Sequence, residues 1–159
     1  SSTSRGLGDV YKRQVINSIL VAKSKSIEIS EVKHQKQSEY QTCIKLTVTT
    51  DKQNRSVSGT LFASKPRIVE VKGIEIDAGL SAHNLYISNE DKPGFIRDLS
   101  KVLADNKINI GTFNLGRKNS GGEAVALIST DSKIEEAVIE SIKKIPLVIQ
   151  AKYLSFDEQ

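Results

Sequence analysis

The chain has 159 residues, of which 38% are hydrophobic and 26% charged, and its formal net charge is +4. These proportions suit a globular fold of one ordinary domain or two small ones. No apolar run approaches the roughly 20 residues of a membrane span, lysines and arginines are interleaved with acids in a way that argues against nucleic acid, and a single cysteine excludes an internal disulfide framework and fits a reducing cytoplasm.

Methionine is absent even at position 1, so the sequence reads as an internal or C-terminal piece of something longer. Ser1–Gln14 lacks the apolar core of a signal peptide. It is set aside as a disordered leader, either a natural linker or a sequencing artefact from adaptor read-through. Val15–Lys25 places Val15, Ile16, Ile19, Leu20 and Ala22 on one face, which predicts a short helix. Ile27–Val32 reads as a strand and Lys33–Gln41 as a polar connection. Ile44–Thr49 alternates at period 2, Asp51–Asn54 is turn chemistry, and Arg55–Phe62 is the returning strand. Arg67–Val71 and Ile74–Ile76, separated by Lys72-Gly73, complete a small antiparallel meander with a thin core. Residues 15–78 thus form a partial antiparallel α/β domain, and the polar stretch Asp77–Asn84 carries the boundary.

The second half has a cleaner pattern. Leu85–Asn89 is a strand, and Gly94–Asn106 is a helix with Phe95, Ile96, Leu99, Val102 and Leu103 on one side. Asn106 is expected to end it in the left-handed conformation. Lys107–Arg117 and Glu123–Thr130 are strands joined by the turn Asn119-Ser120-Gly121-Gly122. Ser132-Lys133-Ile134-Glu135 matches a capping box and opens a second helix, and Val148–Leu154 is the last strand. The order βαββαβ over residues 84–159 is the ferredoxin-like split unit, so the chain is α+β.

The stretch Asn89-Glu90-Asp91-Lys92-Pro93-Gly94-Phe95-Ile96 joins the first of these strands to its helix. Pro93 fits a first helical turn, Gly94 permits close approach of a ligand, and Asp91 is a natural cap for free N–H groups. A helix N-terminus with exposed donors beside a carboxylate suits a small zwitterion such as an amino acid. Plainer readings stand beside this one, with Asp91 a helix cap and Asn109 a turn residue. Arg55, Lys65, Arg67 and Lys72 lie on neighbouring strands and offer charge for a phosphate-bearing effector, or simply form a solvated strand face.

The βαββαβ order, the Asn-Glu-Asp-Lys-Pro-Gly sequence after its first strand and the Lys107-Ile108-Asn109-Ile110 opening of its second resemble the ACT domain, an amino-acid-sensing regulatory module. Gly59-Thr60-Leu61-Phe62, Pro66-Arg67-Ile68-Val69 and Gly73-Ile74-Glu75-Ile76-Asp77 resemble the allosteric substrate-binding domain of the D-3-phosphoglycerate dehydrogenase family. The tandem resembles the C-terminal end of that family's long form, from about Val15 to Leu154. The resemblance implies a cytoplasmic NAD-dependent oxidoreductase, fed back upon by L-serine held between paired ACT domains of a homodimer. The matching serine positions are Asn89, Asp91 and Asn109, with Asn109 reaching the site on the neighbouring subunit. Asp91 would pair with the ammonium, the helix N-terminus with the carboxylate, and Asn109 with the backbone or hydroxyl. The same two domains also resemble part of the β chain of an iron–sulfur L-serine dehydratase, and a ligand-free dimerisation module is a further reading.

No catalytic residue is expected in this chain, and no NAD site, since the only Gly-x-Gly, at Gly6 and Gly8, lacks a third glycine. His34 and His83 lack neighbouring ligands at metal spacing. Cys43 reads as a small core residue.

Overall fold

The structure, a computed structural model, describes residues 17–33 and 42–156. The expected leader Ser1–Gln14, the start of the first helix and the connection from His34 to Gln41 lie outside the described residues.

Residues 17–33 belong to a separate unit. Helix α1 spans Ser18–Ser24 with Ala22 buried. Ser26 takes a left-handed φ of 57°. The N–H of Ser26 then donates to Lys23 O (3.1 Å) and that of Ile27 to Ala22 O (2.9 Å), closing the helix in a Schellman pattern. The expected strand at Ile27–Val32 is absent. Ile27 is consumed by the helix end, and among the described residues nothing pairs with the segment, so it gains no ladder hydrogen bonds.

Residues 42–156 fold as two four-stranded antiparallel sheets. The first is a meander of β1 (Cys43–Thr49), β2 (Asn54–Phe62), β3 (Lys65–Val71) and β4 (Ile74–Gly79), in that spatial order. Its two tight turns place both central residues at positive φ, Ala63 and Ser64 in one and Lys72 and Gly73 in the other, the twist that two-residue hairpins require. β1 is an edge strand with all seven residues exposed. Cys43 is therefore exposed rather than a core residue, at the outer edge of its sheet. Glu70 is the polar anchor of this sheet. Its carboxylate accepts hydrogen bonds from Ser56 Oγ (2.7 Å), Ser58 Oγ (2.6 Å) and the Gly73 N–H (2.7 Å).

The second sheet has the order β6-β7-β5-β8. It comprises β5 (His83–Glu90), β6 (Ile110–Arg117), β7 (Glu123–Thr130) and β8 (Val148–Ser155), with α2 (Phe95–Asp105) and α3 (Glu136–Lys143) crossing between them. This is the expected ferredoxin-like arrangement. Leu85, Ile87, Ala126, Ile128 and Ala151 meet Phe95, Leu99, Leu103, Val138, Ile139 and Ile142 in the main core. The opposite face is covered too, since Val125 and Leu127 pack against Val71, Ile74, Ile76 and Ala78 of the first sheet. β4 accordingly runs on through Asp77 to Gly79, and the break before β5 narrows to Leu80–Ala82. Ala78 is fully buried, and extending the strand is what buries it.

Several predicted helix ends moved. Asn106 caps α2 at φ −96°, and Lys107 takes the left-handed place at φ 57°. Asn106 instead spends its side chain on Val102 O (2.8 Å), and the Ile108 N–H bonds Leu103 O (2.9 Å). β6 therefore begins at Ile110, three residues later than expected. The capping box is not formed, because α3 starts at Glu136 and no side chain caps it. Ile134, just before the helix, is buried in the core.

Two predictions follow from this packing. A Cβ on Gly116 would sit 2.2 Å from the Glu75 carbonyl oxygen, so Gly116→Ala should force the sheets apart and cost about 2–3 kcal/mol in urea unfolding. Burial of Glu70 opposes its charge, but its three hydrogen bonds and Lys45 hold its carboxyl down at about 2. A carboxylate lowered on folding stabilises fully above its unfolded value, and that contribution fades as pH falls through its folded value. Stability should fall between roughly pH 4.5 and 2, and Glu70→Gln should flatten that part of the profile while costing about 2–3 kcal/mol at neutral pH.

Candidate ligand site at the end of β5

β5 delivers Asn89 to the C-terminal edge of the sheet, where pairing with β8 shifts register between Ser88 and Asn89. Asn89 is 1% exposed. Its Nδ2 donates to Glu90 O (2.9 Å), while its Oδ1 has no hydrogen-bond partner among the described residues. A buried carbonyl oxygen left unpaired costs about 1–3 kcal/mol, which makes it a natural receiver for a donor brought by a ligand.

Asp91 follows in the loop, and its role differs from the one expected. It does not cap α2. The N-cap is Gly94 at φ 104°, with no side-chain hydrogen bond, and Pro93 lies before the helix rather than in its first turn. Asp91 Oδ2 instead accepts from Arg117 Nη1 (3.0 Å) and from the Gly121 N–H (3.2 Å). Its own N–H donates to Gly122 O (2.7 Å). The Arg117 guanidinium, then the Gly121 N–H, hold the Asp91 carboxyl below its ordinary value. Arg117 was not singled out from the sequence. It lies 26 residues away, and only the pairing of β6 with β7, which sets Arg117 against Ala124, brings it to the loop.

Asn109 is exposed and immediately precedes β6. Its Nδ2 donates to Asp131 Oδ2 (2.6 Å), and its carbonyl accepts from the Asp131 N–H (3.2 Å). Asn89 pairs with Ala124 at the start of β7, whereas Ile110, next to Asn109, pairs with Thr130 at its end. At about 3.4 Å per residue this separates Asn109 from Asn89 by about 20 Å within one chain.

The four basic residues do not converge on one point. Lys65 sits at the β2–β3 turn opposite Phe62, and Arg67 Nε is paired with Asp77 Oδ1 (2.5 Å). Lys72 points across to the second sheet. Its Nζ, on a side chain 11% exposed, bonds Glu123 Oε1 (2.5 Å) and Ser88 Oγ (3.4 Å). Ser88 in turn donates to Glu123. Lys72 and Ser88 hold the Glu123 carboxyl below its ordinary value, and Arg55 adds to this from β2. Ser88 precedes Asn89, and Glu123 follows the glycine pair that grips Asp91. Both partners of the Lys72 ammonium therefore adjoin the candidate site.

Among the described residues no group of three His, Cys, Asp or Glu could hold a metal ion, and no helix is long and apolar enough to cross a membrane. His83 Nδ1 is hydrogen-bonded to the Tyr153 hydroxyl (2.6 Å). Gly94 is the one glycine at a helix start among the described residues, and without companions it forms no dinucleotide-binding turn.

Residues 8–72 match the D-3-phosphoglycerate dehydrogenase intervening domain and residues 83–147 the ACT domain. The chain is 34% identical over 140 residues to a D-3-phosphoglycerate dehydrogenase of Bacillus subtilis, covering 87% of this chain and 27% of that protein. It is 36% identical over 132 residues to one of Methanocaldococcus jannaschii, covering 83% and 25%. A probable L-serine dehydratase β chain of Bacillus subtilis is 25% identical over 143 residues, covering 89% of this chain and 65% of that protein. The chain thus spans about a quarter of the length of the two dehydrogenases.

The bridge from Lys72 makes a prediction of its own. Lys72→Met keeps the apolar stem but leaves Glu123 and Ser88 without their cation. It should lower stability by about 1–2 kcal/mol in urea unfolding, while Lys65→Met, exposed at its turn, should stay within about 0.5 kcal/mol.

Proposed function

We propose that this chain, which joins a D-3-phosphoglycerate dehydrogenase intervening domain to an ACT domain, is the regulatory C-terminal part of a cytoplasmic NAD-dependent D-3-phosphoglycerate dehydrogenase. Its task on this reading is to bind L-serine and report serine abundance to catalytic domains upstream. NAD belongs to those domains, and no residue of this chain is assigned to it.

The observation that carries the reading is the unpaired Oδ1 of the buried Asn89, next to an ionised Asp91 and a helix that no side chain caps. Asn89 can accept from the ligand, Asp91 can take its ammonium, and the free N–H groups of α2 favour negative charge nearby.

Asn109 enters only through a second copy. Among the described residues the outer edge of β6 has no strand partner, so it is a template for pairing. Antiparallel pairing of two β6 strands about a two-fold axis near Phe113 would set Arg117 opposite Asn109 of the partner subunit. The 20 Å that separates the candidate residues within one chain is then closed between chains. Serine that prefers one subunit arrangement biases everything attached to it, and the Lys72–Glu123–Ser88 bridge offers a mechanical route from the site to the first sheet.

The coverage of the dehydratase β chain supports a second reading, in which the module serves an L-serine dehydratase and meets serine as substrate. Both readings place L-serine at this site. Isothermal titration of the purified chain with L-serine should show saturable binding that Asp91→Ala abolishes, with D-serine and glycine weaker, and light scattering should report a dimer. A folded dimer that ignores L-serine would overturn the sensor and leave an assembly module.

A further inference from the structure

We propose that Arg117 is a ligand-binding residue of this site, receiving the carboxylate of the amino acid while Asp91 receives its ammonium; this rests on the effector-binding reading above. The expectation from sequence assigned the carboxylate to the N-terminus of α2. The geometry favours Arg117 for three reasons. First, both hydrogen bonds to Asp91 fall on Oδ2, and Arg117 spends only Nη1 on the pair. A guanidinium carries five N–H donors and a carboxylate two acceptor oxygens, so each partner keeps a face for a ligand while still touching the other.

Second, the two charges reach the ligand differently. A helix N-terminus offers about half an elementary charge. A guanidinium offers a full charge with a fork that matches a carboxylate. The Arg117 side chain is 58% exposed, so docking an anion there demands little desolvation of the arginine beforehand. Third, the Asp91–Arg117 pair is neutral overall, and so is an α-amino acid. Binding the zwitterion leaves every charge paired. An amine lacking the carboxylate satisfies Asp91 alone, and a hydroxy acid lacking the ammonium satisfies Arg117 alone. The pair is therefore a filter for molecules that carry both groups.

The placement of Arg117 makes it a joint as well as a receptor. It is the last residue of β6, on the edge where the proposed partner strand would lie. Asp91, by contrast, belongs to the loop after β5. A carboxylate held by Arg117 would tie the site to the strand that forms the subunit contact.

Titration calorimetry on the whole chain tests this with wild type, Arg117→Gln and Arg117→Lys against L-serine, L-serine amide, ethanolamine and L-glycerate. Wild type should prefer L-serine over L-serine amide. Arg117→Gln should weaken L-serine by at least about tenfold, a loss of about 1.4 kcal/mol, while binding the amide nearly as well as wild type does. Arg117→Lys should recover part of the preference. A merely structural role would weaken serine and its amide alike, and that outcome, or L-serine binding by Arg117→Gln within about twofold of wild type, would overturn the assignment. Failure of wild type to bind L-serine would overturn the effector reading itself, and this inference with it, whereas retained binding in Arg117→Gln removes only the role of Arg117.

Discussion

β7 is buried on both faces, and most of the structure follows from covering it. Val125 and Leu127 point to one side, Ala126 and Ile128 to the other. A single strand with two apolar faces cannot rest at the surface of a two-layer fold. The helices α2 and α3 cover one side. The other needs a third layer, and β3 and β4 supply it with Val71, Ile74, Ile76 and Ala78. Gly116 makes the contact possible, since at that point the β4 backbone lies where a side chain would otherwise stand.

This third layer also fixes the electrostatics around the ligand site. Once β3 and β4 lie on the second sheet, their connecting turn projects Lys72 over β5 and β7. The half-buried ammonium then meets the more exposed carboxylate of Glu123 and the hydroxyl of Ser88. The left-handed φ of 54° at Lys72 is a conformation that non-glycine residues adopt at some cost. The turn and the ion pair hold it there. Asn89 therefore sits in the strand ladder of β5 beside Ser88, whose hydroxyl the Lys72 ammonium contacts from the preceding sheet.

Much of the framework was legible in the sequence, because it rests on local pattern. Alternation in Ile44–Thr49, the stripe along Phe95–Leu103 and the glycine turn before Glu123 each report on neighbours close in the chain. The ferredoxin-like order and its family resemblance followed from them. What local pattern missed were competitions decided by distant partners. Asp91 has the chemistry of a cap, but Arg117 outbids the helix for its carboxylate, and that pairing exists only after β6 is laid beside β7. Ser132 and Glu135 have the spacing of a capping box, yet the helix begins only at Glu136. Cys43 reads as a core residue because it leads into an apolar strand, but that strand lies at the exposed edge of its sheet. Asn89 was read as a contact residue, though no pattern foretold that its oxygen would be sealed in without a partner.

The distance between Asn109 and Asn89 along β7 has a consequence for how the protein would respond in a cell. On the proposed reading a complete site exists only where two chains meet, so ligand occupancy and self-association become one equilibrium. Diluting the protein at fixed serine would empty the site, and raising serine would recruit monomers into pairs. The sensitivity of the response would then be set partly by how much of the chain is made, a dial that lies outside the binding residues altogether.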